Sequence, residues 1–300
     1  MKLIVESGAT KTDFCLLCGK EQMRFRLDGI NLATMSDESI ANVLSKAKGM
    51  ISEAAVADNV KELYFYGAGI VSEANSVKSG ISESSNKLDY VLRKIFVNAS
   101  VIEYNSDLTA SARALWGRTP GISVILGTGS NSCLYDGRII VSNVRPCGFI
   151  IGDFGSGAAL GKVFLADYLQ NQMPVEIFSR FEKDYCIDYK SIVRSVYKDA
   201  APARFLASFA PYILSLTEDR GLKEESMEYL EKTITDNFRT FIRRCLLQYN
   251  PSLYHVGVTG SFGCAARKYL EKAGDEYGVR FSVFQPSPMD GLIKYHSDYV

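Results

Sequence analysis

The sequence predicts an α/β fold made of two similar units in tandem. Three observations carry that prediction. Short apolar runs with a period near two alternate with longer runs of helical period. The order of these runs begins again near Gly121. The chain has 300 residues, enough for two cores, since a single core stops growing near about 250–300 residues.

Lys2–Glu6, Thr12–Cys18 and Met23–Leu27 read as strands, with Gly19-Lys20 as a tight turn between the last two. Helical periodicity runs from Ser36, a good N-cap, to about Asp58. Glu62–Tyr66 reads as a short buried strand. A helix at about Ser84–Val97, a strand at Ser100–Tyr104 and a helix at about Asp107–Trp116 follow. The second round opens with three short strands at Ile122–Leu126, Ser132–Tyr135 and Arg138–Ser142, with Asp136-Gly137 as the hairpin signal. A helical insertion fills about 156–249. Then come a strand at Tyr254–Thr259, a helix at Ser261–Tyr277, a strand at Val279–Phe284 and a last helix at Met289–Tyr295.

This order implies domains at 1–117 and 118–300, related by an internal repeat and joined at a turn near Gly117–Gly121 that suits a hinge. The closing helix, 287–300, is compatible with packing back on the first domain. Within the insertion, Met227–Leu247 is amphipathic. It fits either a partner subunit, as in a homodimer, or the core, and the core is the stronger fit.

Lys plus Arg equals Asp plus Glu, 34 of each, so no basic field exists to hold nucleic acid or an anionic membrane. No apolar run approaches the roughly 20 residues of a membrane helix. The opening MKLIVESG has too few apolar residues for a signal peptide, so a cytoplasmic location and reduced thiols are expected for the seven cysteines. Cys15 and Cys18 form a CxxC inside the apolar run FCLLC and are expected as buried core thiols rather than metal or redox groups. Two histidines make a zinc cluster or a Ser-His-Asp triad a poor reading. The expected partner is a small molecule.

Each half opens with a strand ending in a turn of small residues, ESGATKT in the first and GTGSNS in the second. Gly8, Gly127 and Gly129 let backbone amides approach an anion, and Thr10, Thr12, Thr128 and Ser130 add hydroxyls. Singly, either turn is an ordinary hairpin connection. Placed alike in a repeated plan, they form a pair that can grip a polyphosphate. Rival phosphate motifs fail on spacing. GSGAALGK lacks the glycine a P-loop requires and has Val163 for its Ser/Thr, while GTGSNS lacks the third glycine of a dinucleotide fingerprint.

Asp107 follows the strand VIEYN and begins a helix. An acid there is either a helix-dipole partner, worth about 0.3–1 kcal/mol, or a general base for a substrate hydroxyl. The residues alone leave both open. Asp153, in GFIIGDFGSGAALG, sits in a permissive glycine loop and either reaches a ligand or caps the next helix, with the ligand reading favoured. VTGSFG (258–263) is a further strand-to-helix turn, with Gly260 and Ser261 at the helix start.

Taken in order, these five segments resemble the acetate and sugar kinase/Hsp70/actin superfamily, and within it the group of N-acetylglucosamine kinases and BadF/BadG-type ATPases. The resemblance spans nearly the whole chain, to the closing PSPMDGLIKYH. It implies two ribonuclease H-like, actin-like ATPase domains and a kinase that passes the γ-phosphate of ATP to a hydroxyl of an amino sugar such as N-acetylglucosamine. By that resemblance Gly8, Thr10 and Lys11 belong to the first phosphate loop, Gly127 and Thr128 to the second, and Gly260 and Ser261 to the adenosine segment. Glu6 would help hold Mg²⁺ through water. Asp107 would be the catalytic base and touch the sugar, together with Asn31, Ser130, Asn131 and Asp153. ATP·Mg²⁺ would lie between the two phosphate turns, and the sugar between Asp107 and Asp153.

The chain departs from the group's pattern at Ser7, where glycine is frequent, and at Phe154, where Glu is frequent in a GDEGSG segment. Two other readings stay open beside the kinase. One is a BadF-type ATPase that activates a partner enzyme through an iron–sulfur cluster shared between subunits. The other is a non-catalytic nucleotide or sugar sensor, motivated by Phe154.

Overall fold

A computed structural model describes residues 1–8, 11–19, 21–30, 32, 35–54, 59–70 and 83–297, side chains excepted at 53–54 and 83–87. The chain divides into two compact units. The first comprises Met1–Thr119, Tyr135–Asn143 and the segment from Pro288 onward; the second comprises Pro120–Leu134 and Val144–Ser287. The sequence reading drew one boundary, at 117/118. It did not anticipate that the hairpin tip at 135–143 groups with the first unit.

The first sheet has the order β3-β2-β1-β4-β5, from β1 (Lys2–Ser7), β2 (Lys11–Cys18), β3 (Glu21–Asp28), β4 (Glu62–Gly67) and β5 (Val101–Ser106). β1 pairs antiparallel with β2 and parallel with β4, and β5 is parallel to β4. Alternation along β1 sorts its side chains onto two faces. Leu3 and Val5 join Phe14, Leu16 and Phe65 beneath α1 (Asp37–Ala54) and α2 (Glu83–Ile95). Ile4 joins Cys15, Tyr64 and Tyr66 on the other face, beneath α3 (Asp107–Trp116) and α13 (Met289–Ser297). That alternation also corrects the reading of the CxxC: Cys15 is buried, whereas Cys18 ends β2 and is exposed. Lys20 and residues 55–58 of the expected turn and helix lie outside the described residues.

The second sheet has the order β10-β9-β6-β7-β8, from β6 (Gly121–Leu126), β7 (Ser130–Tyr135), β8 (Ile140–Val144), β9 (Val256–Thr259) and β10 (Phe281–Gln285). Counted from its own first strand, this is the order of the first sheet again, third-second-first-fourth-fifth, and the internal repeat is therefore real. β8 begins two residues later than expected. Asp136 Oδ1 accepts from the amides of Arg138 and Ile139, both at 2.8 Å, and Asp136 N donates to Ile139 O. The turn is thus centred on Gly137-Arg138, with Gly137 at φ +99° and no room for a Cβ against Arg118 O.

Short α4 (Gly148–Ile151) precedes the insertion, which holds α5 (Gly157–Leu169), α6 (Val175–Tyr185), α7 (Tyr189–Tyr197), α8 (Pro202–Ala207), α9 (Ala210–Leu216) and α10 (Glu224–Arg244). A 3₁₀ turn at Leu246–Tyr249 closes it. Leu230, Ile234, Phe238, Phe241 and Ile242 put one face of α10 into the unit's core with Val124, Val256 and Val258. The apolar face of Met227–Leu247 is therefore spent on the core; truncating one such buried ring costs about 3–5 kcal/mol. The expected helix at 261–277 is two pieces, α11 (Ser261–Ala265) and α12 (Arg267–Glu276), broken at Ala266, whose ψ of 16° leaves the helical range. No proline or capping residue announces that break.

Candidate active site

In the first unit, acidic groups gather at the carboxyl end of the parallel strands. Glu6 on β1 lies opposite Asp13 on β2. Burial pushes the Glu6 carboxyl up to about 7, and the charges of Asp13 and Asp107 add to the rise. Asp13 has its own cations, Arg26 Nε at 2.5 Å and Lys11 Nζ at 3.7 Å. Asp107 has none among the described residues. It follows β5 directly, where Ser106 caps α3 by accepting from Thr109 N at 3.1 Å. Asp107 Oδ1 accepts from Leu108 N at 2.8 Å, and burial raises its carboxyl above the ordinary carboxylate value. With Ser106 already capping the helix, the dipole-partner reading explains little of this acid. A desolvated carboxylate with no counter-ion is what a proton acceptor requires.

Of the turn before β2, Gly8 and the residues from Lys11 onward are described. The Gly8 amide is taken by Lys11 O at 3.0 Å. The Thr12 hydroxyl is buried, 2.7 Å from Ser7 Oγ, and accepts from Ile30 N at 3.1 Å. Ser7 Oγ donates to Ile30 O and accepts from Ile30 N, at 3.0 and 2.9 Å. The serine is therefore a pin that fixes the segment before Asn31. Asn31 and Thr10 lie outside the described residues.

In the second unit the GTGS turn joins β6 to β7 and docks on the start of α5. Gly157 N and Ala158 N donate to the carbonyls of Gly127 and Thr128, at 2.9 and 3.1 Å. Those carbonyls are held against the helix, which consumes its first free amides. Gly127 and Thr128 line a cleft of about 250 Å³ with Ser261, Phe262, Ala207 and Ala210. Gly260 makes the approach feasible. It has φ +112°, and a Cβ there would sit 2.3 Å from Leu126 O. Sequence reasoning brought Gly127, Thr128 and Ser261 to this place but missed the insertion's part in it. The small residues of AAPARFLASFAP (200–211) were the available signal.

A second pocket of the same unit, about 160 Å³, gathers Ser130, Asn131, Asp153 and Phe154 with Arg145 and Arg244. Asp153 has φ +50° and is held by its amide, which donates to Pro146 O at 2.9 Å. Burial pushes its carboxyl up to about 6, against the amides of Ser130 and Gly148 and the charge of Lys162. Gly129 lets the carboxyl stand where it does, since a Cβ there would come 2.8 Å from Asp153 Oδ2 and the side chain would have to shift. The Ser130 hydroxyl donates to Phe154 O at 2.8 Å, so it ties the loop rather than standing free for a substrate. Asn237 of α10, which sequence reasoning missed, clamps the next two residues: its Oδ1 accepts from Gly155 N and its Nδ2 donates to Ser156 O, both at 3.2 Å.

No protein-family model matches the chain, and no curated protein matches it. Solved structures do. A provisionally named N-acetylglucosamine kinase of Porphyromonas gingivalis is 34% identical over 100% of this chain and 99% of its own, with a TM-score of 0.88. A provisionally named N-acetylglucosamine kinase of Chromobacterium violaceum is 19% identical, covers 98% of each chain and has a TM-score of 0.69. A Schistosoma mansoni hexokinase complexed with glucose is 14% identical over 99% of this chain and 84% of its own, at a TM-score of 0.56. The last two show likeness of fold.

Proposed function

The chain belongs to the N-acetylglucosamine kinase-like group of the acetate and sugar kinase/Hsp70/actin superfamily, with two actin-like ATPase units, and from that premise we propose that it phosphorylates a hydroxyl of an amino sugar of the N-acetylglucosamine type with ATP. The observation that carries the reading is Asp107, a desolvated carboxylate with no cation partner among the described residues, at the carboxyl end of a parallel strand.

In the proposed step the acceptor hydroxyl gives its proton to Asp107 while its oxygen bonds to the γ-phosphorus. The bond from that phosphorus to the β,γ-bridging oxygen breaks, and ADP leaves. The cleft of Gly127, Thr128, Ser261 and Phe262 takes the nucleotide, and Asn131 and Asp153 take the sugar. Lys11 supplies charge near the phosphates.

The acids of the first unit suit Mg²⁺. Glu6 carries a carboxyl pushed up to about 7 among other acids, and a divalent cation would relieve that crowding. No group of three or more ligating side chains is assembled among the described residues, which agrees with an ion held through water and phosphate oxygens. When bound, Mg²⁺ would neutralise charge on the β- and γ-phosphates.

The test is ADP release from Mg·ATP over a panel of N-acetyl sugars, amino sugars and plain hexoses, with Asp107→Asn alongside. Sugar-dependent release is expected, with kcat lower in the variant by about 10²–10⁴-fold and ATP binding retained. Full turnover by the variant removes Asp107 from the role. Release that ignores every sugar points instead to an ATPase that serves a partner.

A further inference from the structure

Two thiols meet at the pocket that holds Asp153. Cys147 and Cys245 both line it, although they are 98 residues apart in sequence (245 − 147). The phosphoryl transfer proposed above uses neither. Cys147 directly precedes α4 and is exposed, and its Sγ donates to Arg145 O at 3.5 Å. Its Cβ packs against Gly152, where an added Cβ would come within 2.8 Å of it. Cys245 ends α10, is half-buried, and its amide donates to Phe241 O at 2.8 Å.

The two backbones are tied together beside the sulfurs. Tyr249, just after Cys245, accepts at its hydroxyl from Val144 N, just before Cys147, at 2.5 Å. The same hydroxyl donates to Ser132 O at 2.8 Å. A pocket of about 160 Å³ on elements so pinned keeps the two thiols as neighbours. Electrostatics agrees with the geometry. Burial pushes the Cys245 thiol up to about 11, the charge of Arg244 opposes that rise, and Cys147 adds to it. Cys147 is also poised to move. At φ +61° it holds a left-handed conformation that strains any residue but glycine, so a shift toward α10 gives up nothing favourable in its own backbone.

We propose that Cys147 and Cys245 are an oxidation site, joined as a disulfide by hydrogen peroxide, and that the bridge shuts the sugar end of the site; this second half rests on the sugar-kinase reading above. Cys147 meets the oxidant first because it is exposed, whereas burial keeps Cys245 protonated. The Cys147 sulfur attacks one peroxide oxygen and the O–O bond breaks. The hydroxide released takes the thiol's proton and leaves as water, and Cys147 becomes a sulfenic acid. The Cys245 sulfur then attacks the Cys147 sulfur and the S–O bond breaks. A second water leaves with the Cys245 proton. The two thiols lose two electrons, and one peroxide becomes two waters. The bridge lies across the pocket that Asn131 and Asp153 line, and it pulls on Pro146, whose carbonyl accepts from Asp153 N at 2.9 Å.

The test starts from the fully reduced chain and adds hydrogen peroxide. Cross-linked peptides are mapped by mass spectrometry after chymotrypsin, which cuts at Tyr249 and so parts Cys245 from Cys264. ADP release is followed over a range of N-acetylglucosamine for the natural chain, Cys147→Ser and Cys245→Ser, each compared with itself before and after peroxide. The natural chain should show Cys147 linked to Cys245 and a KM for sugar raised at least about tenfold. Dithiothreitol should reverse both, and the KM for ATP should move less. Each serine variant should keep its own sugar KM through the same treatment. Oxidation that leaves the two peptides unlinked, a bridge that leaves the sugar KM unchanged, or a rise as large in either variant overturns the switch and leaves the kinase standing. The cross-link is read by mass alone, so no release with any sugar removes the kinase reading but not a mapped bridge.

Discussion

His296 provides a sharp thermodynamic test of how the first unit is held. The imidazole is 5% exposed and stacks on Tyr64 with ring centroids 3.8 Å apart. Its Nε2 lies 2.8 Å from Tyr66 Oη, which itself accepts from Arg113 at 2.8 Å. The direction of the Tyr66–His296 hydrogen bond is set by the imidazole tautomer. Burial, then the charges of Arg113 and Lys2, lower the His296 pKa from 6.5 to about 3. The unfolded chain takes up a proton near pH 6.5 and the folded one only near 3. His296 thus costs nothing well above pH 6.5, and destabilises the unit progressively as pH falls between those values.

At 1.36 kcal/mol per pH unit the full cost is about 5 kcal/mol at pH 3, and about 2 kcal/mol at pH 5. The chain's single tryptophan, Trp116, ends α3 in this unit and gives a local signal. Urea unfolding followed by its fluorescence should show the natural chain losing about 2 kcal/mol more than His296→Gln between pH 7 and pH 5. Parallel profiles for the two proteins, or an NMR titration of the ring near pH 6.5, would refute the reasoning.

Three further outcomes are expected. Gly260→Ala must force a Cβ to within 2.3 Å of Leu126 O at φ +112°, so calorimetry should show a melting temperature lower by about 4–8 °C for a cost of about 2 kcal/mol. Ala210→Phe should fill the cleft beside Gly127 and Thr128 and raise the KM for ATP at least about tenfold, with a smaller effect on the KM for sugar; equal effects on both would place the nucleotide elsewhere. Asn237→Ala leaves the Gly155 amide without its acceptor, a penalty of about 1–3 kcal/mol. It should appear as a raised KM for sugar through a loosened Asp153 loop, and an unchanged sugar KM would divorce that loop from binding.

Much of the fold was legible because local pattern encodes it. Period-two runs and glycine turns marked the ten strands of the described residues, and β1's alternation of Leu3, Ile4 and Val5 follows from strand geometry alone. Asp107, Asp153 and Ser261 stood out as short polar residues at strand ends or glycine turns, and Asn131 entered through the family resemblance alone. What escaped was set by contacts distant in sequence. Nothing near Gly8 says that its amide is spent on Lys11 O, and nothing near Asn237 says that it holds residues 155 and 156. The positive charge around Asp153 is equally invisible in one dimension, because Arg145 and Arg244 are 99 residues apart (244 − 145) and only the docking of α10 against the loop brings them together.

The composition of the first unit also bears on the order in which the protein is made. Met289, Leu292 and His296 complete the face that Ile4, Cys15, Tyr64 and Tyr66 begin, yet Pro120–Leu134 and Val144–Ser287 are translated before them. Domains usually fold as units from the N-terminus during synthesis. Here the second unit has all its residues first, while the face of the first sheet that α3 begins to cover is completed only once α13 has been made. The nascent chain thus has every residue of the cleft around Gly127 and Thr128 before it can finish packing the helix that carries Asp107, and that interval is when a chaperone would find most to hold.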